Sequence, residues 1–302
     1  MTSLETFLGH AKAEAEPGLI AQHLPHLSAS SIGMLLRCPR QFQRRYLFGE
    51  KEKPGENLFV GSSFHETMEW NYLTKIDSHE DQPLSDAIAY LHDAAIPKVL
   101  EESGGQDEIV WDNDIEKAKA DLTRITQGYY TKVVPRIQPV GAEEKFSLDF
   151  AGVEVPVIGY IDLVSGYEMQ MDTTSMMVPD RIIDTKTGKQ ASRKIKPSWN
   201  LQGRLYTYAK KLPTEFHSVS RAQTPTIVTA LESADMTVPI LTDGQYREME
   251  YLVNTAADCI RHFLTVYGRE QDWPTWGAVP DWTRNMLPCD RCGWRSGCPA
   301  WT

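Results

Sequence analysis

"RIIDTKTGK", residues 181–189, is the stretch on which the fold turns. Two isoleucines run into Asp184, Lys186 follows two positions later, and Thr187-Gly188 ends the run as a turn. Read as a buried strand, the segment places Asp184 and Lys186 on one face, because side chains alternate along a strand. A carboxylate at the end of a buried strand is costly unless it meets a cation or several donors. Lys186 is one answer, as a same-face ion pair that closes the strand. A bound divalent cation is the other. These residues alone leave both open.

The flanking sequence builds a sheet around that strand. "EKFSLDFAGVEVPVIGYIDLVSG", residues 144–166, alternates apolar and polar residues about Gly152 and reads as a β-hairpin. After the strand come a helix over 198–212, a fourth strand at "TPTIVTALE" (224–232) and a long helix over 243–267. Before the hairpin, "LSASSIGMLLRCPRQFQRRYLF" (27–48) has serine caps and helically spaced Ile32, Leu35, Leu36, Phe42, Tyr46 and Leu47. "KEKPGEN" then breaks the chain, and a second helix is expected to open at "GSSFHETMEW", with Ser63 and Glu66 as a capping box. Residues 66–135 read as mostly helical around Gly104-Gly105. The expected fold is therefore α/β: one mixed sheet flanked by helices, a helical insertion over about 70–140, a lead-in at 1–27 and a cysteine-rich tail at 273–302. The long last helix leaves little room for a second core, so residues 28–302 are expected to form one domain.

Composition sets outer bounds. Hydrophobic residues make up 41% of the 302 and charged ones 24%, an ordinary globular mix. No apolar run approaches the ~20 residues of a membrane span, and the N-terminus lacks a basic segment before an apolar core. A cytoplasmic, reducing location is expected, which disfavours disulfides. The net charge of −10 hides two basic runs: Arg37, Arg40, Arg44 and Arg45, and Lys186, Lys189, Arg193, Lys194 and Lys196. Either run could be a solvated surface or a path for a polyanion.

Further candidates join Asp184 and Lys186. Asp162, in "VIGYIDLV", also ends an apolar strand segment, and on a neighbouring strand it could share one hard cation with Asp184; oxygen ligands suit Mg²⁺ or Mn²⁺. Lys186 would then sit beside the charge that such an ion attracts. His65 has Glu69 one turn on along its helix, and Gln202 and Tyr206 are four apart on theirs. Glu144 in "EEKF" reads more simply as a surface residue. Each of these has a bland alternative, a satisfied core histidine or the polar edge of a helix.

The cysteines raise a separate question. The tail pattern C-x2-C-x5-C offers Cys289, Cys292 and Cys298, and Cys38 is the natural fourth ligand; Cys259 lies on an apolar helix stripe. Spacing alone leaves structural Zn²⁺ and a [4Fe–4S] cluster open.

Taken together and in order, "SASSIGMLLRCPRQFQRRYLF", "GSSFHETME", "GYIDLV", "IIDTKTGK", "QGRLYTYA" and the terminal cysteines resemble the RecB-like branch of the PD-(D/E)xK nuclease superfamily. The resemblance implies His65, Asp162, Asp184 and the Thr185 carbonyl as metal ligands. It implies Lys186 as the catalytic lysine, and Gln202 and Tyr206 as a pair that positions the DNA strand or the lysine. Asp184 stands where many relatives carry Glu. One cysteine before the nuclease motifs and three after them is the layout of the iron–sulfur members, including CRISPR-associated exonucleases and the AddB type, so the resemblance favours a structural [4Fe–4S] cluster. The implied activity is metal-dependent exonucleolytic hydrolysis of DNA, with a preference for single-stranded ends. The alternatives are a DNA-end-binding or processing subunit of a recombination or CRISPR-adaptation complex, and a zinc-stabilised DNA-binding module without catalysis. No phosphate loop of the helicase type is present, so ATP-driven unwinding would need a partner chain.

Overall fold

A computed structural model of the chain describes residues 18–171 and 174–274. Helix α1 (Ala29–Arg37) is capped as the serines suggest: the Ser28 side chain accepts from the Ser31 amide, and the Ser31 hydroxyl oxygen accepts from the Ser28 amide. It stops at Cys38 because the residue before a proline is driven to extended backbone, here φ −160° and ψ 109°. Pro39 then opens the short α2 (Pro39–Phe42), where its missing N–H costs nothing.

Helix α3 (Glu56–Ser78) starts at the Pro54-Gly55 break, earlier than the expected capping box. Ser63 is wholly buried within it. The first turn is held by Glu56, which accepts from the Asp112 and Asn113 amides and pairs with Arg221. Helices α4 (Leu84–Tyr90), α5 (Ile96–Glu102) and α6 (Ile115–Lys132) complete the helical insertion, with positive φ at Gly104 and Gly105 where the interruption was expected.

Among the described residues the sheet has six strands: β1 (Pro139–Leu148), β2 (Val157–Gln170), β3 (Ser175–Gly188), β4 (Thr214–Ser220), β5 (Ile227–Val228) and β6 (Thr237–Val238). The first three form an antiparallel meander, β4 runs parallel to β3, and β5 and β6 pair antiparallel with β4. Helix α7 (Pro197–Lys210) is the crossover between β3 and β4, and α8 (Asp243–Tyr267) is the last element among the described residues. The mixed sheet and its flanking helices are as expected, but the fourth strand is not. It lies at Thr214–Ser220, and of "TPTIVTALE" only Ile227–Val228 is strand. "TEFHSVS" escapes an apolar pattern because its polar residues are buried and satisfied. Ser218 Oγ accepts from the Ser192 amide, and Ser220 Oγ accepts from the Thr226 amide.

Alternation along the strands divides the core between two faces. Val164, Ile182 and Phe216 pack with α1, α7 and α8, whereas Leu163, Ile183 and Val219 pack with α3 and α6. The sheet is therefore covered on both sides. On the first face α7 lies tight against β4: a Cβ on Gly203 would stand 2.8 Å from Phe216 Cε2 and 3.0 Å from Val238 Cγ2. After α8 the chain returns to α2. The buried Trp273 stacks at 6.0 Å on Phe42 and lies 5.0 Å from Phe263. Gln43 fixes this return, donating to the Arg269 and Gln271 carbonyls and accepting from the Trp273 amide.

Gly203→Ala is expected to destabilise the fold by about 1–3 kcal/mol through overpacking, despite the better helix propensity of alanine. The midpoint of denaturant unfolding measures this, and an unchanged or raised midpoint shows that α7 is free to lift from the sheet.

Candidate active site

The β2–β3 register that sets Leu163 opposite Ile183 carries on to bring Asp162 and Asp184 to one place. The Asp184 side chain is fully buried, Asp162 is 22% exposed and Lys186 is 24% exposed. Lys186 Nζ reaches back along the strand face to Asp184, 2.7 Å from Oδ1 and 3.0 Å from Oδ2. The ion pair foreseen from the D-x-K spacing is thus present. Asp184 Oδ1 and Asp162 Oδ2 are buried, and each faces a cation, Lys186 Nζ and His65 Nδ1, without a well-directed hydrogen bond.

His65 approaches from α3. Its Nε2 lies 2.6 Å from the Thr185 carbonyl oxygen, which can only accept, so Nε2 carries hydrogen. Its Nδ1 lies 3.1 Å from Asp162 Oδ2. An imidazole with acceptors at both nitrogens is held as the cation. Burial opposes that charge, but the Asp162 carboxylate, supported by Asp184, pushes His65 up to about 9. Burial also raises both aspartates, with opposite net results. Asp162 is held below the ordinary carboxylate range by His65 and Lys186, while burial and the Asp162 charge push Asp184 up to about 6.

The α7 pair closes the side. Gln202 Nε2 donates to the Tyr206 hydroxyl oxygen at 2.6 Å, leaving the phenol hydrogen unused in that bond. Burial, then the charges of Asp184 and Asp162, raise the Tyr206 phenol well above its ordinary value, so it stays protonated.

Two carboxylates and a main-chain carbonyl are hard oxygen donors that suit a divalent cation, and His65 would join them only by giving up a ring proton. Among the described residues no three His, Cys, Asp or Glu side chains form a group that could hold an ion by themselves. His65 is bonded directly to Asp162 and to the Thr185 carbonyl.

One acid was not legible in the sequence. Of the two residues in "EEKF", Glu144 turns away to pair with Lys210, consistent with a structural role. Glu143, with φ of 49°, is the one that feels the site. Burial, then the charges of Asp162 and Glu69, push it up to about 7. Nothing in two adjacent glutamates says which will face inward. Glu69 is likewise raised, by burial and by Glu66. A cavity of about 470 Å³ opens elsewhere, beside Lys132, Arg136, Arg181 and Glu215, and includes none of the residues just assembled.

The basic runs divide. Arg40 is buried against Asp272 and Arg44 pairs with Glu50, so part of the first run is structural. In the second, Lys189 pairs with Asp112, while Arg193, Lys194 and Lys196 are exposed just beyond β3, with Lys196 over the Trp199 ring. Cys38 sits at the α1–α2 corner; Cys289, Cys292 and Cys298 lie outside the described residues.

The sequence matches the family model described as PD-(D/E)XK nuclease superfamily over residues 26–299. Among solved structures it is similar to a Eubacterium rectale protein named "Putative exonuclease", at 10% identity and TM-score 0.51 over 92% of this chain and 94% of that one. At that identity the likeness speaks to fold alone. SSO0001 aligns at 10% identity and TM-score 0.33 over 84% of this chain and 89% of that one, too distant to add to the argument. No curated protein matches the sequence.

Because its folded-state pKa is raised, the stability linked to Asp184 is fully present below the ordinary carboxylate range and lost as pH rises through about 6. Without added metal, Asp184→Asn is expected to be more stable than the parent at about pH 7.5, by about 1–3 kcal/mol, with the gap closing below about pH 4. Thermal melts in chelator across that range test this; a lower melting temperature for the variant at the upper pH contradicts it.

Proposed function

Because the chain belongs to the PD-(D/E)XK nuclease superfamily, we propose that it is a divalent-metal-dependent deoxyribonuclease acting as an exonuclease on DNA ends, with a preference for single strands. The observation that carries the reading is the convergence of Asp162, Asp184 and Lys186 at one place, with His65 beside them. His65, Asp162, Asp184 and the Thr185 carbonyl would hold Mg²⁺ or Mn²⁺, and the chemistry the ion supplies when bound is charge stabilisation on phosphate oxygens and a more acidic water.

The chain's own groups do the rest. Lys186 is partly exposed at the end of β3, where its ammonium donates to a phosphate oxygen or orients the attacking water. Gln202 holds Tyr206, and Tyr206 stays a neutral donor beside the aspartates. Arg193, Lys194 and Lys196 follow the catalytic strand directly, so the DNA backbone is expected to run over residues 189–196. The arginines around Cys38 contribute less, being engaged in part elsewhere.

A structural [4Fe–4S] cluster on Cys38, Cys289, Cys292 and Cys298 belongs to the same reading, with Zn²⁺ as the competing occupant. Its support is the return of the chain to the α1–α2 corner: Trp273 against Phe42 and Asp272 on Arg40 bring the start of the tail beside the helix that follows Cys38. The cluster would be a staple with no part in hydrolysis.

Lys186→Ala and Asp184→Ala are expected to lower Mg²⁺- or Mn²⁺-dependent degradation of end-labelled DNA by at least about 100-fold, with far-UV circular dichroism unchanged. Parent-like cutting by either variant overturns the assignment. Anaerobically purified protein is expected to be brown, with iron and acid-labile sulfide that Cys38→Ser loses. Colourless protein with stoichiometric zinc removes the cluster.

A further inference from the structure

Thr185 stands between Asp184 and Lys186 with its side chain on the opposite face of the sheet, and there it ends a buried line of hydrogen bonds. Its Oγ1 lies 3.2 Å from the Tyr129 hydroxyl, which lies 2.6 Å from His217 Nδ1. His217 Nε2 lies 2.9 Å from Glu215 Oε1, an oxygen that also accepts from the Ala230 amide at 2.9 Å. Arg181 Nε is 3.5 Å from the second Glu215 oxygen. Tyr129 is fully buried, His217 is 3% exposed and Thr185 is 8% exposed.

One assignment of hydrogens satisfies the whole line. A carboxylate only accepts, so His217 Nε2 donates to Glu215. With no hydrogen on Nδ1, that nitrogen accepts from the Tyr129 hydroxyl, whose oxygen accepts from the Thr185 hydroxyl. Each donor is used once, all in one sense, which is the arrangement in which successive bonds strengthen one another. Burial pushes Glu215 up, but the bonds from His217 and Ala230 and the charge of Arg181 keep it below the ordinary carboxylate range, so it remains an acceptor. The parallel register pairs Thr185 with His217, which puts the two side chains side by side on that face. The other side of the same residue faces the reaction, since the Thr185 carbonyl is the group His65 meets at 2.6 Å.

We propose that Tyr129 and His217, anchored by Glu215, are positioning residues. They grip β3 from behind through the Thr185 hydroxyl, and so set the strand rotation that presents Asp184, the Thr185 carbonyl and Lys186 to substrate. None of the three touches DNA. The proposal rests on the hydrolytic reading of Asp162, Asp184 and Lys186, and its test carries a readout that does not depend on activity.

Thr185→Val removes the hydroxyl while keeping the β-branched shape and the main-chain carbonyl; Thr185→Ser keeps the hydroxyl. Tyr129→Phe breaks the same line one link further back. For Thr185→Val and Tyr129→Phe, amide hydrogen exchange at residues 184–186 is expected to rise about tenfold, and kcat on end-labelled DNA to fall about tenfold with KM within about twofold. Thr185→Ser, which keeps the hydroxyl, should match the parent in amide exchange. Faster exchange with kcat unchanged reduces the line to a structural brace and overturns the proposal. Lower kcat with exchange unchanged overturns it as well, because the hydroxyl then acts by some other route. If the parent itself is inert while the exchange pattern is as expected, the grip on β3 stands and the hydrolytic reading falls. If exchange is unchanged in both variants, the grip falls whatever the activity.

Discussion

The structure is organised around an electrostatic conflict: two carboxylates from adjacent strands placed where little water reaches them. Asp162 and Asp184 repel each other, and burial disfavours the charge of both. The fold answers with two cations from different elements, His65 from α3 and Lys186 from β3 itself. Both are spent close to the carboxylates, and oxygens on each aspartate remain without a directed donor. Such a site is unstable toward neutral carboxylic acid and receptive to added positive charge. These are two expressions of one imbalance, in which burial and mutual repulsion oppose the charge that His65 and Lys186 support.

The rest of the molecule makes that imbalance tolerable. A sheet covered on both faces holds β2 and β3 in fixed register, so the carboxylates cannot drift apart. Helix α3 begins early, at a glycine-proline break, with its first turn locked by Glu56 to Arg221 and to the Asp112 and Asn113 amides. His65 therefore arrives on a helix anchored at its start. On the other side, the missing side chain at Gly203 lets α7 settle onto β4 and carries Tyr206 against the aspartates. A buried pair opposed by its own repulsion needs supports that are themselves stiff.

Much of this was legible in the sequence, and the failures share one cause. The pairing of Asp184 with Lys186 follows from alternation along a strand. The hairpin about Gly152, the caps of α1 and the extent of α8 follow from local chemistry. What the residues hide is tertiary satisfaction. The strand Thr214–Ser220 looks too polar to be interior until Ser218, Ser220 and His217 are seen with their partners. Ser63 fits a cap motif but lies inside a helix. Glu143 and Glu144 are chemically the same, and only the backbone turn at Glu143 and the lysine beneath Glu144 tell them apart. Cys289, Cys292 and Cys298 lie outside the described residues.

The alternation of β3 has a consequence for how this chain can vary. Ile182, Asp184 and Lys186 share one face, while Ile183 and Thr185 share the other with Tyr129 and His217. Deleting or inserting a single residue upstream within the strand would exchange the two sets at a stroke, turning the charges toward the tyrosine and the hydroxyl toward the carboxylate of Asp162. A point substitution changes one side chain, whereas a shift of one residue changes the face of every side chain along β3.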